Sequence, residues 1–212
     1  MKLHSEFPYP LYLVILEEAC KGKDMFKVAE QAIRGGVDIL QLREKKLPGH
    51  LFLERAQRLR EVTEKYGVPL IINDNPKIAS QVNAAGIHVG NKDARPTALR
   101  QQPYFQDKLI GYSIEYLAQL DNEQTAMSDY LAISPVFRTD TKRDTVTEWG
   151  LEGVASIREL TQKPLVAIGN LHKENARTVI RAGADCIAVV SAICGANCPE
   201  KAAYELKNAI TA

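Results

Sequence analysis

The chain has 212 residues, of which 45% are hydrophobic and 25% charged, and its formal net charge is +1. This composition is that of an ordinary soluble globular protein, and the length suits one large domain or two small ones. A net charge so close to zero provides no overall field that would attract nucleic acid or an anionic membrane, so neither is expected as a partner.

Short apolar runs rich in β-branched residues alternate with amphipathic helical stretches along the whole chain. In chain order, the predicted strands are Leu11–Leu16, Asp38–Leu42, Pro69–Ile72, Gly86–Val89, Leu109–Tyr112, Tyr130–Ile133, Pro164–Ile168 and Asp185–Val190. A helical pattern follows each strand, and the last predicted helix is Glu200–Ile210. Strands that alternate with helices favour parallel pairing, because each return crossover needs the length of a helix.

Eight strand-helix units predict a single domain over residues 1–212, folded as a closed (β/α)8 TIM barrel. No Pro/Gly/Ser-rich linker or change in charge marks a domain boundary. The alternative fold is a doubly wound open sheet. Against it, the first strand is followed by Leu16-Glu17-Glu18-Ala19 instead of Gly-x-Gly-x-x-Gly. In the predicted barrel, the active site lies at the C-terminal ends of the strands.

Neither secretion nor membrane insertion is expected from the sequence. Residues 1–10 include an acidic residue and lack the apolar segment of a secretory signal. No apolar run approaches the roughly 18 residues of a membrane span. The four cysteines, Cys20, Cys186, Cys194 and Cys198, are too few and too irregularly spaced for a disulfide framework or a complete metal site. The sequence therefore predicts reduced thiols and a cytoplasmic protein.

Cations and carboxylates follow the predicted strands at one end of the barrel. Arg43 and Lys45 end strand two and Lys142 follows strand six, and such side chains suit phosphate oxygens. Asp74 and Asp93 follow strands three and four, and two neighbouring carboxylates beside a phosphate site suit Mg²⁺. Either carboxylate could instead cap a helix or stabilise a turn.

A second group of polar residues follows the last strands. Gly169-Asn170 and Val190-Ser191 stand at the ends of strands seven and eight, the usual phosphate position of such barrels. The long loop at 135–149 offers Thr139, Thr141 and Lys142 to anionic oxygens, although a solvated charged loop is the alternative. Two phosphate sites, one of them metal-assisted, are expected in an enzyme that joins two phosphorylated substrates and releases a diphosphate.

Six segments, in this order, resemble the thiamine-phosphate synthase family. They are Gln41–Lys45, Ile72–Asp74, Gly86–Asp93, Pro135–Lys142, Val166–Gly169 and Ala188–Ile193. The resemblance covers almost the whole predicted barrel. It implies a transferase that couples 4-amino-5-hydroxymethyl-2-methylpyrimidine diphosphate to a thiazole phosphate, giving thiamine phosphate and pyrophosphate. It also implies a dissociative reaction, in which the diphosphate leaves before the thiazole nitrogen captures a pyrimidine-methyl cation.

The resemblance also assigns roles to individual residues. The implied ligands of Mg²⁺ are Asp74 and Asp93, and the implied catalytic residues are Arg43, Lys45, Ser113 and Lys142. The implied substrate-binding residues are Gln41, Leu42, Arg43, Glu44, Lys45, Asn73, Ser113, Thr139, Asp140, Thr141, Lys142, Asn170, Val190 and Ser191. The two small-molecule substrates are the expected partners. The oligomeric state is left open, and a homo-oligomer is compatible with the sequence.

The sequence departs from the family's pattern in four places. Glu17-Glu18 replaces Asp-Arg after the first strand, Asn75 replaces Arg, and Glu115 replaces His. Asn170 replaces the second glycine of a Gly-Gly pair that meets the thiazole phosphate. Because Asn tolerates left-handed backbone conformations better than most residues, we expect the phosphate pocket to persist.

Two related activities remain as alternatives to coupling. A thiazole tautomerase would isomerise the thiazole phosphate without a diphosphate site, and that group generally uses His where this chain has Glu115. A non-catalytic thiamine-phosphate-binding barrel would be expected to lose the metal carboxylates. Coupling is therefore favoured by the presence of Arg43, Lys45, Asp74, Asp93 and Lys142.

Overall fold

A computed structural model describes residues 7–139 and 147–212. Eight parallel strands pair in chain order, and the last pairs with the first, so the sheet closes into a barrel. The strands are β1 Leu11–Ile15, β2 Ile39–Leu42, β3 Leu70–Asn73, β4 Gly86–Val89, β5 Leu109–Ile114, β6 Tyr130–Ile133, β7 Leu165–Ile168 and β8 Cys186–Val189. The predicted TIM barrel is confirmed.

Helices connect the strands around the outside of the barrel. In the described ranges they are α1 Met25–Arg34, α2 Gly49–Lys65, α3 Pro76–Gln81, α4 Pro96–Arg100, α5 Glu123–Met127, α6 Gly150–Leu160, α7 Ala176–Arg181, α8 Ser191–Cys194 and α9 Pro199–Thr211. Short 3₁₀ segments occupy Glu17–Cys20, Pro103–Phe105 and Leu117–Asp121. Local capping fixes some helix starts, as at α1, where the Asp24 side chain accepts from the Phe26 and Lys27 amides.

The strands are apolar on both faces because each face packs against a different hydrophobic layer. A larger layer lies between the barrel and its helices and includes Leu13, Leu40 and Ile72. A smaller layer fills the barrel itself and includes Phe7 and Tyr130, whose ring centroids are 4.7 Å apart. This continuous burial explains why the apolar runs located the strands in the sequence.

Three aspartates close the N-terminal end of the barrel in the same way. Asp38, Asp129 and Asp185 each precede a strand and accept a hydrogen bond from a backbone amide of the neighbouring strand, at 2.9, 2.6 and 2.8 Å. Each also pairs with a cation, which is Lys207, Arg100 and Arg158 respectively. This end of the barrel is therefore built for stability, which leaves the opposite end for chemistry.

Along the two described stretches, no helix is both long and apolar enough to cross a membrane. All four cysteines carry free thiols, and three of them are buried.

Candidate active site

A cavity of about 240 Å³ opens at the C-terminal end of the barrel. Residues from every strand or the loop after it line the cavity, as the fold requires for a barrel active site. The residues singled out in the sequence that line it are Gln41, Arg43, Lys45, Asn73, Asp74, Asp93, Ser113, Thr139, Asn170, Val190 and Ser191. The structure therefore brings the described members of both groups of polar residues into one cavity.

Two predicted substrate-binding residues do not line this cavity. Leu42 is fully buried in the layer between barrel and helices, because neighbouring residues of a strand face opposite sides. Glu44 turns outward, and its Oε1 accepts from Arg55 Nη1 at 2.7 Å and from the Glu17 amide at 3.3 Å. The side chains of both residues are therefore directed away from the cavity, and their predicted contacts with substrate stay predictions.

Three further predicted residues, Asp140, Thr141 and Lys142, lie outside the described residues. Their proposed contacts with the thiazole phosphate and the pyrophosphate stay predictions. Thr139, the last described residue before them, lines the cavity.

Asp74 and Asp93 meet at the rim between β3 and β4. Burial first, then the charge and hydrogen bonding of Asp93, raise the pKa of Asp74 from 3.8 to about 6. Lys45 opposes this rise, with its Nζ 3.4 Å from Asp74 Oδ2. Asp93 is held in turn by the Gly90 amide, which donates to its Oδ2 at 2.8 Å. Two crowded carboxyl groups beside a cation are therefore a site at which bound positive charge would relieve repulsion.

The donor set fits a magnesium ion that is completed by substrate. The described residues contain no group of three or more His, Cys, Asp or Glu side chains arranged to enclose a metal. Mg²⁺ commonly takes only one or two carboxylates and fills its octahedron with phosphate oxygens and water. Asp74 and Asp93 meet that requirement, and Asp74 adopts a left-handed backbone conformation, φ 62°, at this position.

A chain of polar side chains crosses the interior of the barrel below the rim. Gln41 Nε2 donates to Tyr12 OH at 2.9 Å, and Tyr12 OH lies 3.0 Å from Tyr130 OH. Tyr130 OH lies 3.2 Å from His88 Nδ1, and His88 Nε2 lies 3.0 Å from Ser113 Oγ. The sequence interpretation missed Tyr12, Tyr130 and His88, which all line the cavity. In the sequence, these residues could have been recognised as polar side chains within otherwise apolar strands.

Glu115, one of the departures from the family's pattern, is fixed by a second network. Asn91 Nδ2 donates to Glu115 Oε2 at 2.8 Å, and both residues line the cavity. Gln119 is almost fully buried and supports both of them. Its Nε2 donates to Asn91 Oδ1 at 2.6 Å, and its Oε1 accepts from the Glu115 amide at 2.7 Å. The Asn91 amide therefore holds the Glu115 carboxylate at the cavity, and Gln119 supports both residues.

Asn75, another departure, caps a helix. Its Oδ1 accepts from the Ile78 amide at 3.0 Å, and Pro76 occupies the first turn of α3. The residue after Asp74 thus stabilises the helix start in place of the family's arginine.

Gly169 and Asn170 shape the opposite side of the cavity. Gly169 has φ 120°, and a Cβ there would lie 2.6 Å from Pro135 Cβ, so glycine is required. Asn170 has φ 51°, which is the left-handed conformation expected from the sequence. Its carbonyl accepts from Asn175 Nδ2 at 3.0 Å, and its side chain is exposed at the cavity. The replacement of glycine by Asn170 therefore preserves the backbone shape.

Comparison with known proteins gives consistent matches over the barrel. A family model described as thiamine monophosphate synthase matches residues 11–193. A thiamine-phosphate synthase of Albidiferax ferrireducens is 43% identical over 95% of this chain and 92% of that protein. One from Syntrophomonas wolfei is 40% identical over 94% of this chain and 95% of that protein.

Solved structures agree with the sequence matches. A structure titled thiamine phosphate pyrophosphorylase from Pyrococcus furiosus is 32% identical, covers 95% of both chains and has a TM-score of 0.85. A 3-hexulose-6-phosphate synthase, 17% identical over 95% of this chain and 100% of that chain with a TM-score of 0.67, shares the fold alone.

Proposed function

Because the chain belongs to the thiamine monophosphate synthase family, we propose that its cavity couples a pyrimidine-methyl diphosphate to a thiazole phosphate. The activity is that of a thiamine-phosphate synthase, which is a transferase. The proposal adds the two substrates, the role of magnesium and the residues that act on each part of the reaction.

The single observation that supports this proposal best is that polar residues suited to anions line two separate sides of the cavity. Arg43 and Lys45 lie on the side of the paired carboxylates, Asp74 and Asp93. Asn170 and Ser191 lie among the ends of β7 and β8, on the side where barrels commonly bind phosphate. An enzyme that joined two phosphorylated molecules would need both sides at once.

The diphosphate would be held by the first side. Arg43 can bind two phosphate oxygens through parallel N–H groups, and Lys45 adds a movable point charge. Ser113 would donate its hydroxyl to the same group, and Asp74 and Asp93 would hold Mg²⁺. When bound, the ion supplies charge neutralisation on the pyrophosphate as the carbon–oxygen bond breaks.

The thiazole phosphate would be held by the second side, which fixes where the new bond forms. Backbone amides near Gly169 and Ser191, with the Asn170 side-chain amide, are suitable donors to its phosphate. The thiazole nitrogen then faces the pyrimidine methylene carbon. The carbon–oxygen bond breaks first, and pyrophosphate leaves with the bonding electron pair. The thiazole nitrogen then donates its lone pair to the resulting pyrimidine-methyl cation, and holding both partners in place accounts for much of the rate enhancement.

The test is an omission assay with the full chain, both substrates and Mg²⁺. We expect equal amounts of pyrophosphate and thiamine phosphate, and neither product when one substrate is left out or EDTA is added. A protein that isomerises the thiazole phosphate but releases no pyrophosphate would be a tautomerase. A protein that only binds thiamine phosphate would be a non-catalytic member of the family. Either result would refute the proposed coupling.

We also propose that the enzyme works in the cytoplasm. The free thiols of all four cysteines support a reducing compartment. Cell fractionation with an antibody to the chain tests this, and recovery in a secreted fraction would contradict it.

A further inference from the structure

The hydrogen-bonded chain inside the barrel has a direction. Gln41 Nε2 is a donor, so the Tyr12 hydroxyl accepts from it and must give its own single hydrogen to another group. The neighbour within reach is Tyr130 OH at 3.0 Å. Tyr130 therefore accepts from Tyr12 and directs its own hydrogen to His88 Nδ1, 3.2 Å away.

The direction of the hydrogen bonds decides which nitrogen of the His88 imidazole carries the hydrogen. An imidazole nitrogen that accepts a hydrogen bond carries no hydrogen, so a neutral His88 has its hydrogen on Nε2. That N–H points to Ser113 Oγ, 3.0 Å away, which makes the serine oxygen an acceptor from His88. The hydroxyl hydrogen of Ser113 is then directed to the cavity, which Ser113 lines.

Burial of the two tyrosines preserves this series of hydrogen bonds. Tyr12 and Tyr130 are almost completely shielded from solvent, with 1% and 0% of their surface exposed. Burial raises the pKa of both hydroxyls well above the usual value of 10, so both keep the hydrogens that the chain needs.

We propose that Tyr12, Tyr130 and His88 are positioning residues that make Ser113 a hydrogen-bond donor to the departing pyrophosphate. This rests on the proposed function, which supplies the anion. In the reverse direction, Ser113 would donate to His88 Nε2 and turn its lone pairs toward the negative oxygens, which would repel them. The reverse direction also requires Gln41 to present its Oε1 to Tyr12. An anion at one end and the Gln41 amide group at the other therefore favour the same direction.

This hydrogen-bonded series also couples two parts of the site that are not in direct contact. Gln41 lies on β2 beside Arg43, whereas Ser113 lies on β5. A change at Gln41 is expected to alter the hydrogen that Ser113 offers, without a movement of the backbone. A purely structural role for the tyrosines would not produce this dependence.

The first measurement is the tautomer of His88 in the full chain without substrates. Nitrogen-15 NMR of the imidazole distinguishes a hydrogen on Nε2 from one on Nδ1 and shows whether the bare nitrogen accepts a hydrogen bond. We expect the hydrogen on Nε2 and an accepted bond at Nδ1 that disappears in Tyr130→Phe. A hydrogen on Nδ1 in the unaltered protein would overturn the proposal, whether or not any variant folds.

The second measurement is a kinetic cycle with Tyr130→Phe and Ser113→Ala. We expect Tyr130→Phe to lower kcat about tenfold, with little change in the KM of the pyrimidine diphosphate, since the lost bond strengthens as charge develops. In the Ser113→Ala background, Tyr130→Phe should have almost no further effect, because the residues act through the same hydroxyl. Independent losses that multiply in the double variant would overturn the proposal.

Tyr104→Phe is the matched control. The Tyr104 hydroxyl shares its single hydrogen between the Ala79 and Ala84 carbonyls, at 2.9 and 2.7 Å, away from the cavity lining. This variant loses a hydroxyl and its shared hydrogen bond, and it should keep kcat and the His88 tautomer unchanged. The NMR result also separates the two proposals. If the unaltered enzyme released no pyrophosphate, the proposed function would fail while the direction of the chain could still be read.

Discussion

Replacement of Asp74 by asparagine should give a protein that is more stable than the natural chain and nearly inactive. Asparagine keeps the shape of the side chain and tolerates the left-handed conformation, φ 62°, of this position. The pKa of Asp74 is raised from 3.8 to about 6, first by burial and then by Asp93. A shift of one pKa unit corresponds to about 1.36 kcal/mol, and solvent screening at this partly exposed rim reduces the effect, so the ionised carboxylate destabilises the metal-free fold by about 1–2 kcal/mol.

The sign of the effect follows from proton binding. Asp74 binds its proton more tightly in the folded than in the unfolded chain, because its pKa is higher when folded. The penalty is absent below about pH 4, grows between about pH 4 and 6, and is constant above. Urea denaturation in EDTA should therefore show Asp74→Asn to be more stable by about 1–2 kcal/mol near pH 8, with the difference vanishing near pH 4.

Magnesium should make the natural protein more stable than Asp74→Asn, which reverses the order expected in EDTA. It should raise the melting temperature of the natural chain and leave that of Asp74→Asn almost unchanged, since binding stabilises only a protein with an intact site. The variant should lose about 10²- to 10³-fold in kcat, the usual effect of removing one electrostatic contact to a transition state. Asp107→Asn, which alters an exposed carboxylate, is the matched control. Lower stability of metal-free Asp74→Asn near pH 8, or equal stabilisation of both proteins by Mg²⁺, would refute the reasoning.

Substitutions at three further positions test other parts of the structure. Asn170→Gly should change the affinity for thiazole phosphate by less than about tenfold, whereas Asn170→Asp should weaken it much more by placing a carboxylate beside the phosphate. If calorimetry showed that Asn170→Asp binds as tightly as the natural protein, the phosphate would not lie at this position. Gly169→Ala should destabilise the fold by about 2 kcal/mol or more in urea denaturation, because φ is 120° and the new Cβ would lie 2.6 Å from Pro135 Cβ; an unchanged midpoint would contradict the geometry. Asp185→Asn should cost about 1–3 kcal/mol of stability through its half-buried pair with Arg158 and leave kcat unaltered. A loss of activity in the folded variant would show that the N-terminal end of the barrel is not purely structural.

The barrel was predictable because burial on both faces produces continuous apolar runs in the sequence. The β4 and β6 strands begin and end at the predicted residues. The β5 strand instead continues through Ser113 to Ile114, two residues beyond the predicted end. A polar residue at the C-terminal end of a barrel strand faces the cavity and need not end the strand.

The residues of the site were only partly predictable, as the segment Gln41–Lys45 illustrates. The family resemblance selected the whole segment, yet only Gln41, Arg43 and Lys45 line the cavity. Side chains alternate along β2, which explains why Leu42 faces outward. Glu44 lies beyond the end of β2, and its contacts with Arg55 and the Glu17 amide hold it away from the cavity. The alternation along β2 could have been applied to the sequence to separate Leu42 from the residues that line the cavity. The pairing of Tyr12 with Tyr130 could not, because contact between distant strands depends on the closure of the barrel.

The most direct test of the two-sided cavity is a crystal structure of the full chain with pyrophosphate, thiazole phosphate and Mn²⁺ in place of Mg²⁺. The anomalous scattering of manganese locates the ion without ambiguity. We predict a peak within coordination distance of Asp74 and Asp93, pyrophosphate against Arg43 and Lys45, and the thiazole phosphate beside Asn170. A manganese peak away from both carboxylates, or both phosphate groups on one side of the cavity, would contradict the account.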